Sequence, residues 1–196
     1  MKFEPAIQGN FGQGLLELKK RAISENVSYI ETQLSTIPTD MNTDDLAKFN
    51  IRLRKLAFEK DEKAVLQSLD SVYNSLLDLF KNLVIAFISA DESPLMAGVN
   101  IVSPEDGETS MKDYWLHMVM FKYCHSRYPN VKYTMHAGEL TLGLVQPEEL
   151  TWHIGAAIYT AGANRIGHGV AIAYEKDSYD LLRYMAKKSI PIEINL

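Results

Sequence analysis

The chain has a single cysteine, Cys124. It therefore has no intrachain disulfide and no Cys-x-x-Cys or multi-cysteine zinc site. The surrounding FKYCHSR has helical character, so a buried, inert thiol is expected, and a reduced compartment fits. Positive charge is also scarce. The formal net charge is −5 and the pI is near 5.5. That balance speaks against a general nucleic-acid or anionic-membrane surface. No apolar run reaches the roughly 18 residues that suggest a membrane span. The N-terminal MKFEPAIQGNFGQG lacks the apolar core of a signal peptide, so a cytoplasmic location is expected. No GxGxxG follows the first β-rich run, and no GxxxxGK[ST] loop occurs, which weakens a nucleotide-binding open sheet.

The chain does contain an alternation of short β-rich runs with longer helical patterns, without repeats or low-complexity tracts. The runs are 27–35 (VSYIETQLS), 83–90 (LVIAFISA), 98–103 (GVNIVS), 131–137 (VKYTMHA), 164–172 (NRIGHGVAI) and 190–196 (IPIEINL). Most are near-continuously apolar, as strands covered on both faces of a parallel sheet are. Helical patterns lie between them. GLLELKKRAISE precedes the first run. A long amphipathic stretch, 43–82, reads as two helices. The segment 110–128 has Ser110 placed as an N-cap. The segment 146–162 has Pro147 near its start and Gly162 at its end, as a helix should. SYDLLRYMAKKS completes the series. Repeated strand–helix–strand order predicts right-handed βαβ units in an α/β fold, either a barrel or an open sheet. Length and composition suit one domain over 1–196. The close on SIPIEINL, an apolar segment with no polar tail, is expected of a piece of something longer.

Polar residues gather at the C-terminal ends of these runs. His136 and Glu139 follow one run, in YTMHAGEL. His168 sits in RIGHG at the end of the next. Glu105 and Asp106 follow NIVSP. A core has little use for such groups, because burying them unpaired costs free energy. In a βα barrel this is the face on which active sites are built. An acid and two histidines on adjacent strand ends suit metal-assisted hydrolysis. His117, His125 and His153 fall in helical patterns and are expected to be structural or surface residues. Glu193 is expected to be a buried, paired acid.

HAGE after a strand, then RIGHG after the next with a helical segment between, resembles the adenosine deaminase family of zinc-dependent amidohydrolases. GVNIVSPEDG and SYIET resemble that family's earlier segments in the same order, so the likeness runs from about residue 15 to residue 196. The resemblance implies a TIM-type (β/α)8 barrel, incomplete here and supplying about strands two to seven. It implies hydrolytic deamination of adenosine or deoxyadenosine to the inosine product plus ammonia. His136 would be a zinc ligand. Glu139 would protonate N1 of the purine, and His168 would hold and help deprotonate the attacking water. Gly138 would permit the tight turn between ligand and acid. Gly138, Ser103 and Glu105 would lie on the substrate side. The partner implied is a small purine nucleoside, with no nucleic acid and no membrane. Another 6-aminopurine (adenine, AMP or an N6-modified form) is the alternative substrate, and a non-catalytic nucleoside- or protein-binding relative is the alternative class.

The chain departs from the family pattern in several places. It has no His-x-His pair, which the family uses for zinc on its first strand. The family's aspartate after the last strand would fall beyond Leu196. Ser103 stands where many members have Gly, and Gln33 where many have Arg. Zn²⁺ is thus expected in a complete protein and only weakly, or not at all, in this chain. MNTDDL, 41–46, imitates the family's terminal Asp-Asp but stands far upstream of HAGE. It reads better as a helix start, with Asn42 or Thr43 as cap and two acids in the first turn. The single cysteine excludes the cytidine-type zinc deaminases, which need PCxxC, and GxSxG and HExxH are absent. A barrel segment leaves two open edges, expected at 28–35 and 191–196, through which copies could self-associate.

Overall fold

The structure, a computed structural model, describes residues 11–34, 55–56, 59–75 and 77–194. Helix α1 (Phe11–Ser24) leads into strand β1 (Ile30–Leu34). Helices α2 (Glu62–Ser75) and α3 (Leu77–Glu92) follow, then β2 (Met96–Ile101), α4 (Glu108–Arg127) and β3 (Tyr133–Ala137). A 3₁₀ turn (Pro147–Thr151) precedes α5 (His153–Gly155), which continues as a π-helical stretch (Ala156–Ala161). Strand β4 (Arg165–His168), a 3₁₀ turn (Val170–Tyr174), α6 (Ser178–Lys188) and β5 (Ile192–Glu193) complete the series. The MNTDDL segment, and with it the expected Asn42 or Thr43 cap, lies outside the described residues.

The strands form one parallel sheet in the order β1-β2-β3-β4-β5. Each strand's neighbour in sequence is its neighbour in space, as right-handed crossovers through helices produce. Among the described residues β1 and β5 are the edges, where the open edges were expected. Side chains alternate across the sheet. On one face, Tyr133 packs against Phe87 of α3 and Phe121 of α4, with ring centroids 5.8 and 5.6 Å apart. Val99, Met135 and Ala137 are buried in the same apolar cluster. Asn100, Thr134 and His136 alternate with these residues and belong to the other face, where Asn100 and Thr134 are in register. Helices cover the first face, and the second carries polar side chains.

Five expectations change. Residues 83–90 are helical, within α3, and not a strand. Their buried members are Leu83, Val84, Ala86 and Phe87, which is helical spacing. Other helices pack around α3, so its exposed face is short and the run reads as continuously apolar. The six expected strands are therefore five among the described residues, and a span of strands two to seven loses one member. Second, the run 164–172 stops being extended at His168. His168 and Gly169 take φ of 71° and 63°, and a 3₁₀ turn follows. Third, α4 begins before Ser110, with Gly107 as its N-cap, because a turn from Pro104 to Gly107 closes first (N–H to O 3.0 Å). Fourth, 146–162 is not one helix. Pro147 and Gly162 do sit at the start and end, but the chain breaks at Trp152, whose indole N–H donates to Glu149 at 2.9 Å. Fifth, Glu193 is paired with Arg165 of β4 at 2.9 Å but remains 43% exposed.

Candidate active site

Two strand ends and one turn build the site. His136 is the penultimate residue of β3, and His168 is the last residue of β4. The register pairs His136 with Gly167 and Ala137 with His168. In regular extended backbone, residues in register share a face, so His168 would follow Ala137 into the core. Its left-handed φ of 71° breaks that alternation and turns the imidazole towards His136. The ring centroids come within 4.5 Å. A non-glycine residue in this region carries strain, of the kind that clusters at functional sites.

Glu139 joins the two rings. Its carboxylate lies 2.9 Å from Nε2 of His136 and 3.6 Å from Nδ1 of His168. One ligand atom from each of His136, Glu139 and His168 falls within 4.8 Å of the others. The imidazoles are 10% and 16% exposed, while Glu139 is 49% exposed, so the acid faces outward. Two imidazoles and a carboxylate form a donor set that suits zinc.

The turn between His136 and Glu139 depends on Gly138. Its φ is +84°, and a Cβ there would lie 2.7 Å from Cδ1 of Ile154 and 3.0 Å from Cα of Gly169. Backbone groups along the turn are held from several sides. The hydroxyl of Tyr114 donates to the His136 carbonyl at 3.2 Å. The N–H of Gly169 donates to the Ala137 carbonyl at 2.8 Å, and that of Ala171 to the Gly138 carbonyl at 2.9 Å. The N–H groups of Gly138 and Glu139 donate to the two carboxylate oxygens of Glu105, at 3.0 and 2.7 Å.

Glu105, expected beside the substrate, is instead buried beneath the turn, 3% exposed. Its Oε1 also meets Nδ1 of His153 at 2.8 Å. His153 is buried and stacks on Tyr114 with ring centroids 3.9 Å apart. It is structural, as expected, but part of the site's foundation. Burial beside Glu105 and Glu175 raises the Tyr114 hydroxyl's pKa well above its ordinary value. Glu175, also buried, accepts the Ile154 N–H at 2.6 Å. Burial pushes its carboxyl above the usual range, against the pull of its backbone bonds and His153. Ser103 is half-buried just past β2, at the same end of the sheet, and Gln33 of β1 lies in register with Asn100. Sequence reasoning missed the part that His153 and Tyr114 play here. Their partners are distant in the chain, and only Glu149, four residues before His153, hinted at a polar neighbour.

A scan against protein-family models finds no match to the chain, and a search of curated proteins finds none either. Among the described residues, no helix is long and apolar enough to cross a membrane.

Proposed function

We propose that this chain carries part of the active site of a zinc-dependent purine nucleoside deaminase, which converts adenosine or deoxyadenosine and water to the inosine product and ammonia. One observation carries the reading. His136, Glu139 and His168, singled out by the HAGE and RIGHG resemblance, meet within 4.8 Å at the C-terminal ends of adjacent parallel strands. The unpermuted strand order and the polar face opposite the helices support reading the sheet as consecutive strands of a (β/α)8 barrel.

His136 would hold the metal, with His168 and Glu139 in reach of the same point. Bound zinc supplies Lewis acidity and lowers the pKa of water to near neutrality. The chain's own residues account for the proton movements. Glu139, half exposed, donates a proton to N1 of the purine, which makes C6 electrophilic. His168 accepts a proton from the water that attacks C6. His168 passes that proton to N6 as the C6–N6 bond breaks, so N6 leaves as ammonia. The new C6 hydroxyl returns its proton to Glu139, leaving the C6 carbonyl and N1–H of the product. Gly138 keeps ligand and acid on one tight turn.

The test is ammonia release from adenosine and deoxyadenosine, with adenine, AMP and N6-methyladenosine as comparisons, by the full chain supplied with zinc. Turnover of a nucleoside that disappears in Glu139→Gln supports the reading. Absence of turnover on every substrate, with adenosine still retained in equilibrium dialysis, would replace it with the non-catalytic binder.

A further inference from the structure

Glu105 lies in the loop before α4, more than thirty positions upstream of the turn it touches. A buried carboxylate is costly unless donors surround it. This one is surrounded by three: the N–H groups of Gly138 and Glu139 and the ring of His153. A carboxylate only accepts, so Nδ1 of His153 carries the proton in that contact. Tyr114 stacks on the imidazole and holds the His136 carbonyl. The loop and the start of α4 thus grip the turn at both ends, at the His136 carbonyl and at the Glu139 amide.

We propose that Glu105 is the positioning residue for Glu139, fixing through the backbone the point from which the acid projects, with His153 orienting Glu105 from below. This rests on the deaminase reading for its catalytic consequence but not for its geometry. Both oxygens of Glu105 are taken up by protein donors, so it acts through the turn and not on the substrate. A shift of about 1 Å in a reacting group can cost on the order of 10²-fold in rate.

Three full-length chains separate positioning from mere stability: wild type, Glu105→Gln and Glu175→Gln. The amide side chain introduced by Glu105→Gln has one acceptor oxygen, so its NH₂ group would oppose one of the two backbone N–H donors. Glu175→Gln disturbs the same buried cluster through Ile154 without touching the turn. Amide exchange at Gly138 and Glu139 is followed by NMR, together with kcat and KM for adenosine. Glu105→Gln should accelerate exchange at both amides beyond its change in global stability. It should also lower kcat by about 10- to 100-fold, as loss of outer-shell partners does, with KM little changed. Glu175→Gln should leave both amides and kcat close to wild type. If Glu105→Gln fails to fold, Glu105→Asp, one methylene shorter with the same charge, should show the same pattern in smaller degree. Unchanged exchange at Gly138 and Glu139, or equal kcat losses in the two glutamine variants, would overturn the proposal. A wild type without turnover, in which the exchange contrast still holds, would remove the deaminase reading and leave the positioning intact.

Discussion

His136 and His168 face each other with ring centroids 4.5 Å apart, although the register aligns His168 with Ala137, a core residue. The left-handed backbone at His168 makes the meeting possible. This predicts a stability signature for strain. His168→Gly and His168→Ala both remove the ring, but only Ala keeps a Cβ in the left-handed region. The Gly variant should be the more stable of the two by about 1–2 kcal/mol in urea denaturation. Equal stabilities would mean that His168 is not held at positive φ in solution.

Gly138 and Gly143 both have positive φ, and only Gly138 is crowded. Gly143→Ala should therefore cost only the conformational strain, about 1–2 kcal/mol. Gly138→Ala adds a clash with Ile154 and the backbone of Gly169, so its loss should be clearly larger and should be accompanied by loss of the His136–Glu139 geometry. Denaturation of the two variants side by side checks this. Similar costs would show that the Ile154 side chain gives way freely.

Three donor atoms within 4.8 Å make a metal site only if none is needed elsewhere. Catalytic zinc centres generally have three protein ligands, and Glu139 is proposed here as the acid. Zinc in the purified chain should be substoichiometric, and added cobalt should bind weakly. His136→Ala should abolish that binding. Glu139→Gln should retain it and lose about 10²–10⁴-fold in turnover, the usual worth of a general acid. Equal metal loss in both variants would overturn the roles assigned to them.

Glu175 titrates above its ordinary value near 4.5 because of burial. A carboxyl with a raised folded-state pKa binds its proton more tightly folded than unfolded. Its contribution to stability is greatest below the unfolded value and falls as pH rises from there through the folded pKa. Glu175→Gln removes that slope, so its stability relative to wild type should rise across this interval. Urea midpoints measured over a pH series decide the matter, and parallel curves would rule the shift out.

Strands β1 and β5 each have one partner among the described residues, which leaves two edges with unpaired backbone groups. Concentration-dependent self-association is the expected outcome in sedimentation. A 22.1 kDa monomer at every concentration would show that the edges are covered.

The sequence was enough to mark the three polar residues that the structure gathers, His136, Glu139 and His168. HAGE and RIGHG stand at strand ends because apolar runs stop there and polar residues begin, and that pattern is local. The same holds for the β-rich runs that overlap β1 to β5, for α6, and for the buried thiol of Cys124. Local pattern failed where the surroundings decided the outcome. LVIAFISA is apolar enough for a buried strand, but α3 is a helix packed among other helices, and enclosure hides the helical period. The strand at RIGHG ends at His168 because the backbone there turns left-handed to bring one ring to another. Glu105 read as a residue near the substrate, yet it serves the turn, through partners 33 and 48 positions away in the chain. No local period encodes such contacts. They exist only once β2, β3 and α5 are packed, when a carboxylate cut off from water must find its donors inside the protein.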